Sequence, residues 1–72
     1  MDLREIIKNR LRELRQERGE SQQQVADGLG IPRQHYQKFE SGAVLPGLEK
    51  SMALADYFGV TVDYLVGRTD ER

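Results

Sequence analysis

The chain contains no cysteine and a single histidine, His35, among its 72 residues. Without thiols it can build neither disulfides nor thiolate metal sites, which fits a reducing compartment. One imidazole cannot assemble a metal site, and no carboxylate pair is placed by the sequence in a cavity. Nothing is left from which to make a nucleophile and its base, so an enzyme is not expected. Long apolar runs are missing too: none approaches the roughly 20 residues a membrane span requires. The opening MDLREII is charged, unlike a signal peptide, so the cytoplasm is the expected location and a membrane is not an expected partner. The last shortage is of positive charge. Eleven Lys and Arg stand against twelve Asp and Glu, a formal net charge of −1, whereas a nucleic-acid footprint is usually basic.

At this length there is room for one domain around one small core. Leu3, Ile7, Leu11 and Leu14 recur in steps of four, four and three, with Ile6 beside them, and this stripe predicts an amphipathic helix from about Leu3 to Arg18, ended by Gly19. Its other face, with Arg4, Lys8 and Arg12 among Glu5, Glu13 and Glu17, reads first as a solvated surface with weak local ion pairs.

The stretch Ser21 to Gly42, SQQQVADGLGIPRQHYQKFESG, reads as two short helices joined by a tight turn. Ser21 is a good N-cap, and Gln24 three residues on can close a capping box. Val25, Ala26 and Leu29 share one face, and Gly30 stands where a helix ends in the left-handed conformation. Ile31-Pro32 restarts the chain, since proline suits a first helical turn. Tyr36 and Phe39 continue the apolar stripe until Ser41-Gly42 stops it, and both read as core rather than as base-stacking residues. Helices this short must dock on something to persist, and small Ala26 lets the second cross closely over the first.

Ala43 to Gly47 then predicts a loop. Leu48, Met52 and Ala55, with Leu54 and Phe58, predict the buried face of a fourth helix ending at Gly59. Thr61 can cap a short fifth helix with Asp63 in its first turn. Val62, Tyr64 and Leu65 pack back, and Gly67 stops it. Residues 69–72 are expected to fray. The expected architecture is all-α: a compact bundle of five helices over 1–68, with no repeat, linker or low-complexity segment.

Gln22, Ala26, Gly30, Tyr36 and the ending Phe39-Glu40-Ser41-Gly42 together resemble the helix-turn-helix of the Cro/repressor-type, or xenobiotic-response-element, family. The likeness extends to LRELRQERG (Leu11 to Gly19) and LADYFGVTVDYLVGR (Leu54 to Arg68). It implies a lambda-repressor-like fold, no cofactor, and a transcriptional regulator, most simply a repressor, that binds a double-stranded DNA operator. The segment 32–41 would be the recognition helix, entering the major groove by its N-terminal residues.

Carried over residue by residue, the resemblance turns Arg33, Gln34 and Lys38 toward base edges. The chemistry suits that placement, since Arg and Lys donate to guanine and Gln can pair with both edge groups of adenine. Gln22 would grip a phosphate at the start of its helix. Gln23, His35 and Ser41 are lesser phosphate candidates, and an exposed surface histidine is the plainer reading of His35. The resemblance also pairs Arg15 with Glu40, tying the first helix to the end of the recognition helix.

Two departures stand out. Pro32 occupies a position where relatives often carry serine or threonine, and the 43–47 loop lacks their phosphate-touching lysine or arginine. The charges are unevenly spread: residues 1–18 carry a net +2, residues 19–46 a net −1 and the remainder a net −2. Affinity for arbitrary DNA is therefore expected to be weak and salt-sensitive. A homodimer on a palindromic operator follows from the resemblance, with exposed parts of Val60, Val62, Tyr64 and Val66 as the candidate contact. The chain then resembles a minimal phage- or mobile-element-type repressor. Two other readings keep the fold: an antitoxin-type regulator that also binds a partner protein, and an interaction module that has lost DNA.

Overall fold

The computed structural model describes residues 2–72, so Met1, the first residue of the expected 1–68 domain, lies outside the described residues. Five helices follow in order: α1 (Leu3–Arg18), α2 (Gln22–Leu29), α3 (Arg33–Ser41), α4 (Leu48–Phe58) and α5 (Val62–Leu65).

Each helix starts where local chemistry lets it. The Asp2 carboxylate accepts from the Arg4 amide. Ser21 and Gln24 form a complete capping box, the hydroxyl accepting from the Gln24 amide at 3.1 Å and the Gln24 side chain from the Ser21 amide at 2.8 Å. Thr61 caps α5 through the Tyr64 amide. Pro32 stands just outside α3 as its N-cap, with φ −62° and ψ 146°, rather than inside the first turn. It has no amide to satisfy and its ring fixes the φ at which the helix begins.

The α2–α3 turn depends on Gly30, whose φ of 70° puts it in the left-handed region that a side chain disfavours. Its amide and that of Ile31 bond to the carbonyls of Asp27 and Ala26, which closes the end of α2 and sends the chain into α3 within three residues.

The core lies where the helices converge. Ile7, Leu11 and Leu14 from α1 meet Val25 and Ala26 from α2, Tyr36 and Phe39 from α3, Leu54, Ala55 and Phe58 from α4, and Tyr64 and Leu65 from α5. Leu11, Val25, Ala26 and Tyr36 have no exposed surface at all. Burial of these side chains, at roughly 1.5–3 kcal/mol for each large one, is what holds α2 to α5, helices of only four to eleven residues, in place. α3 packs chiefly on α1 and α2, while α4 touches α2 and α5. Gly28 lets α4 approach α2, because a methyl at that position would run into the Tyr57 ring.

α4 departs from its expected inward face. Leu54, Ala55 and Phe58 are buried, but Leu48 is 74% exposed and Met52 53%. The place in the stripe is taken by Ser51, buried with its hydroxyl donating to the Pro46 carbonyl at 3.4 Å. Core-facing side chains at 51, 54, 55 and 58 leave positions 48 and 52 on a flank of the helix.

Residues 69–72 form no helix, yet they lie along α1. Asp70 accepts from Arg10 at 2.8 Å and Arg72 binds the Glu17 carboxylate through both terminal nitrogens. The two guanidinium groups lie over the Tyr64 ring at 4.0 and 5.3 Å from its centre.

Candidate nucleic-acid interface

The short helix α3 presents two unlike faces. Tyr36, Phe39 and Glu40 point into the molecule. At about 100° per residue, Gln34 and Lys38 lie opposite that buried arc, with Gln37 and Ser41 beside them and Arg33 and His35 on the two flanks. All six are exposed. Neither Arg33 nor Lys38 has a carboxylate within ion-pairing distance among the described residues. In a chain with more acids than bases, two free cations on one short helix are a local positive surface.

What orients that surface is the pair behind it. Arg15 Nε donates to both Glu40 oxygens at 3.0 and 2.9 Å, and a terminal nitrogen donates to Oε1 at 2.7 Å. The other terminal nitrogen reaches the Glu20 carbonyl at 2.9 Å. One guanidinium therefore ties α1 to the last turn of α3 and to the link before α2. The Glu40 side chain is only 2% exposed. Burial works to raise its pKa, but the bonds from Arg15 outweigh that and hold the carboxylate below its ordinary range. The Tyr36 hydroxyl is buried nearby without a hydrogen-bond partner among the described residues. Burial, then the adjacent carboxylate, push its ionisation well above the usual range for a phenol.

The phosphate candidates are arranged differently from the base candidates, because most already hold an internal bond. The Gln22 amide donates to Glu40 at a long 3.5 Å. Gln23 donates to Asp27 one turn on, at 2.8 Å. The Ser41 hydroxyl donates to the Lys38 carbonyl at 3.2 Å and accepts from the Ala43 amide at 3.4 Å. His35 stands apart from them, lining a hollow of about 260 Å³ with Lys38, Phe39 and Val44.

One neighbour went unforeseen in the sequence: Lys8 of α1 reaches Gly42 at the end of α3. The shallow cleft there also holds Arg4 and Ser41, but Asp2 and Glu5 line it as well, and Lys8 is paired with Glu5 at 2.8 Å. Mixed charge makes it a poor anion site. No periodicity could reveal it, since it arises from the packing of α1 on α3. Among the described residues, no group of three or more acids and histidines could hold a metal ion, and no helix is long and apolar enough to cross a membrane.

Five helices with an αL glycine between the second and third, and an exposed polar face on the third, define a helix-turn-helix domain. The chain belongs to the helix-turn-helix family, whose profile matches residues 11–65, and within it to the Cro/repressor type that its motif resembles. It is 42% identical over 67 residues to the cryptic phage CTXphi transcriptional repressor RstR of Vibrio cholerae, covering 90% of this chain and 60% of that protein. Over 60 residues it is 43% identical to YonR, an uncharacterized SPbeta prophage-derived transcriptional regulator of Bacillus subtilis, covering 83% and 56%. Over 64 residues it is 44% identical to the Bacillus subtilis transcriptional regulator AnsR, covering 89% and 55%. The chain thus spans little more than half the length of these relatives. No solved structure matches it.

Proposed function

We propose that the protein is a sequence-specific repressor that acts in the cytoplasm, binding double-stranded DNA as a homodimer on an inverted-repeat operator. The observation that carries this reading is the outward face of α3, where Arg33, Gln34 and Lys38 stand exposed and free of internal partners. In the major groove, Arg33 and Lys38 donate to guanine and Gln34 pairs with adenine. Gln22, Gln23, Ser41 and His35, with the free amides at the start of α2, meet the flanking phosphates. Similarity to proteins named as phage and prophage regulators supports the same assignment. One copy reads one half-site. A second copy, related by a two-fold axis, reads the other about one helical turn away. Occupying a promoter then excludes polymerase.

Selection of bound sites from a random duplex pool tests this reading. An enriched inverted repeat, bound far more tightly than unrelated duplex, is the expected result. A pool that stays unenriched after repeated rounds would overturn it.

A further inference from the structure

Three side chains meet between the end of α1 and the start of α2. Arg18, the last residue of α1, donates from Nε to one Glu20 oxygen at 2.5 Å, and its guanidinium lies 4.8 Å from the centre of the Tyr57 ring. A terminal nitrogen of the same group donates to the Tyr57 carbonyl at 3.2 Å, in the last turn of α4, where a cation suits the negative end of the helix. The Tyr57 hydroxyl donates to the other Glu20 oxygen at 2.5 Å, so each carboxylate oxygen has a donor. That last bond holds the carboxylate below its ordinary pKa range and raises the phenol above its own. Both groups therefore keep the protonation states the bond needs at neutral pH.

The place where this contact falls gives it a use. α2 packs on α3 and α4, and its first turn carries Gln22 together with amides that have no partner within the helix. Glu20 stands two residues ahead of Gln22, in the link from α1. Its backbone is held from α1, by the Arg15 guanidinium on its carbonyl at 2.9 Å. Among the described residues, the one hydrogen bond on its side chain from beyond α1 comes from Tyr57. The ring of Tyr57 rests on Gly28, near the other end of α2, where a methyl group would collide with it. One side chain of α4 thus touches α2 near its last turn and holds the link ahead of its first.

We infer that Tyr57 is a positioning residue for the phosphate grip: acting through Glu20, it sets where the first turn of α2 stands against the DNA backbone. The inference rests on the DNA-binding reading above and deepens it. Because phosphates carry no sequence information, the effect is the same on every duplex, and discrimination between bases stays with α3. A single hydrogen bond can bias the link by no more than its own worth, so losing it costs no more than about tenfold in affinity.

Titration of the selected operator and of a scrambled duplex with Tyr57→Phe tests this, in a chain whose circular dichroism matches wild type. The expected result is an equal loss on both duplexes, of about threefold to tenfold. Gly28→Ala reaches the same bond from the opposite side, pushing the ring off α2 while favouring the helix itself, and is expected to copy that loss. A merely structural bond would give losses that add to those of any DNA contact. Here the Tyr57→Phe loss is expected to shrink in a Gln22→Ala chain and to keep its full size in an Arg33→Ala chain. Unchanged binding in either folded single variant would overturn the inference, as would a loss of equal size in both backgrounds. Tight wild-type binding to the selected operator would in that case leave the DNA-binding reading standing. A wild-type chain that binds no duplex would overturn that reading and this inference together.

Discussion

Arg33 and Lys38 are available to DNA because no carboxylate among the described residues competes for them. Six of the other cations, Lys8, Arg10, Arg15, Arg18, Arg68 and Arg72, already have a carboxylate partner. Arg33→Ala should therefore remove a base contact without disturbing the fold. The expected cost is about 1–3 kcal/mol on the selected operator, confined to one base position in each half-site. Competition with single-base operator variants reads it; a loss spread evenly over all sequences would place Arg33 on phosphate instead. Gln22→Ala should do the reverse and weaken every duplex alike. The buried hydroxyl of Tyr36 gives a further residue-scale expectation. With no partner to lose, Tyr36→Phe should leave the unfolding free energy from urea denaturation within about 1 kcal/mol of wild type. A loss well beyond that would mean the hydroxyl is bonded after all.

Among the elements, α1 and α3 pack through the core and are also tied by the Arg15 guanidinium, and replacing it should damage both stability and alignment. Arg15→Ala leaves the Glu40 carboxylate buried without its charge partner, at an expected cost of about 3–5 kcal/mol. Arg15→Lys should recover little, because one ammonium cannot bridge both Glu40 oxygens and the Glu20 carbonyl.

The pair also sets a pH dependence. Glu40 has a folded pKa below its ordinary value of 4.5. Its contribution is therefore present above that value and is lost as pH falls through the folded one. Denaturation of wild type and Glu40→Gln should show a constant stability gap from neutral pH down to about pH 5, narrowing at lower pH. A gap that persists undiminished to about pH 3 would mean the carboxylate's charge is not what the pair contributes.

The helices themselves were legible because each carries its own punctuation, Ser21 with Gln24 and Gly30 above all. The outline of the site was legible for a similar reason, since polar residues at 33, 34 and 38 oppose apolar ones at 36 and 39. The inward face of α4 was not. Leu48, Met52, Leu54, Ala55 and Phe58 together cover too wide an arc for one buried stripe. The residue that settles the arc is Ser51, whose burial depends on reaching the Pro46 carbonyl. No local pattern announces that bond.

For the whole molecule, the near-neutral charge changes how DNA binding should respond to salt. Counterion release scales with the cations placed on the duplex, with a slope of about −0.9 for each phosphate neutralised. With His35 counted as neutral, as in the formal charge, the proposed phosphate grips are neutral groups, Gln22, Gln23, Ser41 and His35 with backbone amides, and these release no counterions. That leaves Arg33 and Lys38 in each copy. A dimer on its operator should therefore show a plot of log affinity against log salt with a slope no steeper than about −4. Binding to arbitrary DNA lacks the base contacts and relies on those same few charges, so moderate salt should erase it first. The ratio of specific to non-specific affinity should stay nearly constant as salt rises, because both lose the same counterion contribution. Titrations of the selected operator and a scrambled duplex across one salt series read both quantities. A slope as steep as −8 would mean that further cations, with unpaired Arg4 and Arg12 on α1 the first to examine, reach the backbone and that the DNA footprint extends well beyond α2 and α3.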